Sequence, residues 1–224
     1  MLELVDLFLS TACAATPNKL LLSTLFHLFC KLEEDRRSCM ITCENLTIFN
    51  HTQSPIVCNV GFSIMPGGMF ILRGANGSGK SRLLRSCAGI YTNYTGLALL
   101  DQKSSMPVML IDQTLPAEMY ETVENFLLFY AKCYGSYNSL AATIHYFELD
   151  PLLEIKLSFL SAGQLQRVNL ARLLLSSSRI WLLDEPEQHL DSYFTHKLVH
   201  LVKIRLAEGG AVLIATHSAC FDEL

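Results

Sequence analysis

The 224 residues are half hydrophobic and carry a net charge of −4. That is enough apolar surface for a sizeable core, and there is no cluster of Lys and Arg to serve as a nucleic-acid surface. The eight cysteines never fall in a C-x-x-C pair, which excludes the usual zinc and thioredoxin-like motifs and favours free thiols in a reducing compartment.

No apolar run reaches the ~18 residues of a membrane-spanning helix. The first charges, Glu3 and Asp6, are acidic, unlike the basic start of a secretory signal. The expectation is a protein soluble by itself. Residues 1–39 fit poorly with the rest of the chain. They hold apolar, helix-like stretches and then a charged run from Lys31 to Arg37; a membrane-surface helix is one reading, though basic residues are few. Met40 leads at once into a strand-like segment, so 1–39 reads as an N-terminal extension and Met40 as a candidate start of the working chain.

Strands are expected at 41–48 and 55–64, with Val57, Val60 and Phe62 facing a core. A Pro66-Gly67-Gly68 turn comes next. The apolar run 69–72 reads as a buried strand, and a helix opens at Lys80. The stretch 94–96 breaks the chain before strands at 96–100 and 108–111. Helices are expected at 121–131, 139–147 and 164–175. A strand at 180–183, a helix at 193–206 and a strand at 211–215 complete the chain. Strands alternating with helices predict an α/β fold with a mainly parallel sheet.

Between the strand at 69–72 and its helix lies Gly74-x-x-x-x-Gly79-Lys80-Ser81, the phosphate-binding loop pattern. Gly74, Gly77 and Gly79 let backbone N–H groups of Ala75, Asn76 and Ser78 approach phosphate oxygens. The helix N-terminus adds its partial positive charge. Lys80 would reach the β- and γ-phosphates of a nucleotide, and the Ser81 hydroxyl would ligate Mg²⁺. Further on, Ile180, Trp181, Leu182 and Leu183 precede Asp184 and Glu185. A buried strand would thus deliver two carboxylates to the sheet edge where α/β proteins bind ligands. Asp184 suits the metal, and Glu185 suits activation of a water. Leu160, Ser161, Ala162, Gly163 and Gln164 form a third piece, another helix N-terminus able to face an anion or simply to be capped by Ser161.

These motifs, in this order, resemble the ATP-binding cassette family over 40–224. The resemblance implies a P-loop NTPase fold with a small antiparallel β subdomain and a helical subdomain at about 115–165. It makes Leu160, Ser161, Ala162, Gly163 and Gln164 the signature motif, with Ala162 replacing the more common Gly. It makes Gln113 the Q-loop glutamine and a Mg²⁺ ligand, Asp191 the D-loop aspartate, and His217 the switch histidine. Two cassettes would pack head to tail, so that Ser161 and Gly163 of one close on the γ-phosphate held by the other.

Within the family, the flavour around 160–172, 181–186 and 122–130 is similar to the ATP-binding subunits of cytochrome c maturation haem exporters. That implies an ATPase in a membrane complex at the cytoplasmic face of the bacterial inner membrane, bound to integral membrane subunits, with ATP and Mg²⁺ and without nucleic acid or direct haem contact. The other readings are the ATP-binding subunit of a different transporter and a soluble cassette ATPase such as an iron–sulfur assembly factor. Three departures stand out. Arg82 replaces the usual hydroxyl residue, and either contacts the α-phosphate or faces solvent. Glu187, Gln188 and His189 replace small residues before Leu190 and Asp191. Phe49 is the nearest aromatic for adenine stacking. His196 and His200, four apart, read as a solvated helix face.

Overall fold

The computed structural model describes residues 39–101, 108–112 and 120–224, and Cys39–Leu224 forms one unit by itself. Apart from Cys39, the extension expected over 1–39 lies outside the described residues.

In chain order the described elements are β1 (Ile41–Phe49), β2 (Pro55–Ile64), β3 (Met69–Leu72), α1 (Lys80–Cys87), β4 (Tyr94–Leu100) and β5 (Val108–Ile111). Then come α2 (Val123–Cys133), α3 (Leu140–Tyr146), α4 (Ala162–Leu175), β6 (Ile180–Asp184), α5 (Ser192–Ala207) and β7 (Ala211–Ala215). They build two sheets, a three-stranded antiparallel one ordered β2-β1-β4 and a four-stranded one ordered β3-β7-β6-β5. Every pairing in the second sheet is parallel. Its members are separated in sequence by helices, as crossover connections between parallel strands require.

Side-chain alternation explains how one strand serves two layers. Trp181 and Leu183 of β6 join the cluster that holds Phe126, Phe147, Val168 and Leu198 of the helical side. Ile180 and Leu182 point the other way, into a cluster with Leu83, Leu84 and Cys87 of α1 and Ile41, Leu46 and Ile48 of β1. β7 repeats the pattern, with Val212 and Ile214 on the first side and Ala211, Leu213 and Ala215 on the second. Val57, Val60 and Phe62 pack against the second cluster as partly buried residues.

Several boundaries differ from the sequence expectations for local reasons. α2 starts at Val123 rather than 121, because the Thr122 hydroxyl caps it by accepting the Asn125 N–H at 3.2 Å. The Glu121 carbonyl instead takes the Leu157 N–H at 2.9 Å. α4 starts at Ala162 rather than 164, so Ala162, Gly163 and Gln164 form its first turn. Residues 94–96 do not break the chain: they belong to β4, which pairs with β1 through a register shift between Glu44 and Thr47. Short 3-10 turns at Tyr137–Ser139, Asp150–Leu152 and Leu157–Phe159 carry no apolar periodicity that would reveal them.

Candidate functional site

Register brings the site together. Leu72 of β3 and Asp184 of β6 both pair with Ala215 of β7, and Ile111 of β5 pairs with Leu183. The four strands therefore end at one edge. They release there the loop 74–81, Asp112, Asp184 with Glu185, and Thr216 with His217.

The phosphate loop owes its shape to glycine. Gly79 is the N-cap of α1 at φ +99° and offers no side-chain cap. A Cβ on it would lie 2.5 Å from Val57 Cγ2 and 3.0 Å from Ile56 Cγ2. The β2 side chains thus press directly on the loop, a contact absent from the sequence expectations because it joins segments more than a strand apart. Lys80 sits at the mouth. Its Nζ donates to the carbonyls of Gly74 at 2.8 Å and Ala75 at 3.2 Å. Arg82, in the first turn of α1, is half-buried.

Lys80 Nζ also lies 3.1 Å from His217 Nε2, and that nitrogen is 3.5 Å from Glu185 Oε1. With the ammonium donating, Nε2 is an acceptor and the imidazole proton sits on Nδ1. Glu185 is then a close neighbour of the ring rather than its hydrogen-bond partner. Glu185 holds φ +48°, a left-handed conformation unusual outside glycine, and its N–H is fixed by Ala215 O at 2.7 Å. Ammonium, imidazole and carboxylate thus converge at one point.

Asp184 ends β6 only 5 % exposed. Burial raises its pKa above the ordinary carboxyl value, and the charges of Glu185 and Asp112 add to the rise; a hydrogen bond from Ser81 and the charge of Arg85 oppose it. Arg85 at the end of α1 pairs with Asp112 at 2.9 Å. A desolvated carboxylate bonded to a serine hydroxyl is a hard oxygen pair of the kind that holds a divalent cation together with substrate phosphates. Among the described residues no group of three His, Cys, Asp or Glu side chains could hold a metal.

The signature residues stand at a second helix end. Ser161 Oγ accepts the Gln164 N–H at 3.3 Å, and Gln164 Oε1 accepts the Ser161 N–H at 2.9 Å, a reciprocal capping box. Gly163 packs so closely that a Cβ would stand 2.6 Å from His189 O, which joins the first turn of α4 to the segment before Asp191. A cavity of ≈ 330 Å³ opens between them, walled by Ser161, Gly163, Arg167, His189 and Asp191 among others, and none of the phosphate-loop residues lines it. Asp191 caps α5, accepting the Phe194 N–H at 2.8 Å. Leu160 packs on the helical core. Gln113 lies outside the described residues. Phe49 ends β1, where its carbonyl accepts the Tyr91 hydroxyl. His196 and His200 are exposed on α5.

Residues 57–188 match the ABC transporter family. A Roseobacter denitrificans protein named cytochrome c biogenesis ATP-binding export protein CcmA is 36% identical over 163 residues, covering 73% of this chain and 77% of that one. A Rickettsia felis protein of the same name is 34% identical over 164 residues, covering 71% and 84%. The solved ATP-binding subunit of an ABC transporter superposes with a TM-score of 0.71 at 23% identity, over 80% of this chain and 79% of its own, which shows the fold. The matched span takes in the phosphate loop, the signature helix and the strand that delivers Asp184, and the chain belongs to the ATP-binding cassette family of ABC transporter ATPases.

Proposed function

We propose that this chain is the energy-supplying subunit of a membrane ABC complex of cytochrome c maturation, one that exports haem or releases it from its chaperone. The observation that carries the chemistry is the convergence of Lys80, His217 and Glu185 at the strand ends. The assignment to cytochrome c maturation rests on the name shared by the relatives.

ATP is held by the backbone of Gly74, Ala75, Asn76, Gly77, Ser78 and Gly79, with Lys80 on the β- and γ-phosphates. Ser81, Asp184 and Gln113 would hold Mg²⁺, which when bound neutralises charge on the β- and γ-oxygens. Arg82, in the first turn of α1, would either contact the α-phosphate as a charged donor or face solvent. Glu185 orients and deprotonates the attacking water. His217 fixes the γ-phosphate and stabilises charge in the transition state. Ser161 and Gly163 of a second, identical cassette close on the γ-phosphate, and Asp191 belongs to the same contact. Hydrolysis reopens the pair, and the segment around Gln113 with α2 and α3 passes the motion to an integral membrane subunit. The chain would lie peripherally on the cytoplasmic face of the bacterial inner membrane.

Affinity capture of the tagged full chain from detergent-solubilised membranes tests this reading. The expected product is an integral membrane subunit whose co-expression supports haem attachment to c-type cytochromes. Recovery from the soluble fraction alone, with no membrane subunit, would overturn it.

A further inference from the structure

Between Pro186 and Leu190 the chain carries Glu187, Gln188 and His189 in place of small residues. The structure gives the first of them a specific partner. Thr216 is fully buried at the end of β7. Its hydroxyl donates to Glu187 Oε1 and accepts the Ser218 N–H at 2.8 Å, while its own N–H donates to Leu72 O at 3.2 Å. The residue before His217 is thus tied to β3, to the turn after it and to Glu187.

Glu187 Oε2 is buried without a hydrogen-bond partner among the described residues. A carboxylate placed for stability alone would be expected to satisfy both oxygens; this one commits a single oxygen to a single hydroxyl. Its charge also reaches Cys220, whose thiol is pushed up first by burial and further by Glu187.

We propose that Glu187 is a positioning residue for ATP hydrolysis. Through Thr216 it sets how far His217 reaches toward Lys80 and Glu185, and so toward the γ-phosphate. The carboxylate lies two residues after Glu185 in the turn leaving β6, so one hydrogen bond locks the loop that carries the base to the loop that carries the histidine. This inference rests on the role assigned above to His217.

The test is steady-state ATP hydrolysis by the full chain carrying Glu187→Ala, Glu187→Gln, Thr216→Val or His217→Ala, and by the Glu187→Ala/His217→Ala double variant. Glu187→Ala should lower kcat about tenfold and leave the KM for ATP within about twofold. Glu187→Gln, whose amide oxygen can still accept from Thr216, should restore most of the rate. Thr216→Val removes the donor from the other side and should reproduce the loss. In the His217→Ala background Glu187→Ala should cost nothing more, because the two act as one unit. An additive loss in the double variant, or an unchanged kcat for Glu187→Ala beside an impaired His217→Ala, would overturn the inference alone. An unimpaired His217→Ala would overturn the site reading and the inference with it.

Discussion

Asp184 and Glu185 are adjacent carboxylates with different surroundings. Glu185 lies beside His217 and Lys80 in a turn, where a water can reach it. Glu185→Gln should lower steady-state phosphate release by about 100-fold or more while leaving equilibrium ATP binding intact; unchanged hydrolysis would remove Glu185 as the base. Asp184 is buried at the strand end, and its raised pKa is a statement about stability. A carboxyl whose folded pKa stands above its unfolded value holds its proton more tightly when folded. Its contribution to stability is therefore fully present below the unfolded pKa and is lost as pH rises through the folded value, which lies above 3.8. At neutral pH the ionised carboxylate is a liability, which the proposed metal role would account for. Asp184→Asn should raise the melting temperature at pH 7, with the gain shrinking as pH falls toward 4, and should abolish hydrolysis. A melting temperature lowered equally at both pH values would contradict this.

At the scale of elements, the N-terminus of α4 has two assignments. Ser161 caps the helix with Gln164, and the function proposed above would give the same serine to a second chain's γ-phosphate. Substitutions separate the two. Ser161→Ala removes the cap and should cost ~1 kcal/mol in chemical denaturation. Ser161→Asn keeps a good cap, so stability should stay near that of the parent while hydrolysis falls more than about tenfold. Normal activity in Ser161→Asn would reduce the residue to a helix cap. The tight Gly163–His189 approach means that the first turn of α4 and the segment before Asp191 should respond together: a shift of either displaces the other's backbone.

For the whole molecule, the consequential fact is separation. The phosphate loop lies at the strand ends, while the signature residues wall a different cavity that includes no loop residue. On the proposed reading one chain offers two half-sites, and a complete site would need a second copy. Hydrolysis per chain should rise with chain concentration, and Glu185→Gln with ATP should run as a dimer in gel filtration where the nucleotide-free chain runs as a monomer. Full activity independent of concentration would argue against the two-chain site.

The readable features were local ones. Glycine spacing at 74, 77 and 79, a four-residue apolar run before Asp184, and helix-period patterns at 164–175 and 193–206 each depend on backbone preference or side-chain alternation within one segment. Those preferences act over a few residues, so strand, loop and helix around Lys80 and the acidic end of β6 could be placed from sequence by itself. The start of α4 was harder: Gly163 is a weak helix signal, and although Ser161 was a candidate cap, the Ser161–Gln164 reciprocal bonds are what show that the helix begins at Ala162. Tertiary packing decided the rest. That β7 lies between β3 and β6, that Val57 presses on Gly79, that Arg85 pairs with Asp112, and that Glu187 meets Thr216 all join segments far apart in the chain. Sheet order and close approach are set by which surfaces bury each other, and no local pattern records that choice.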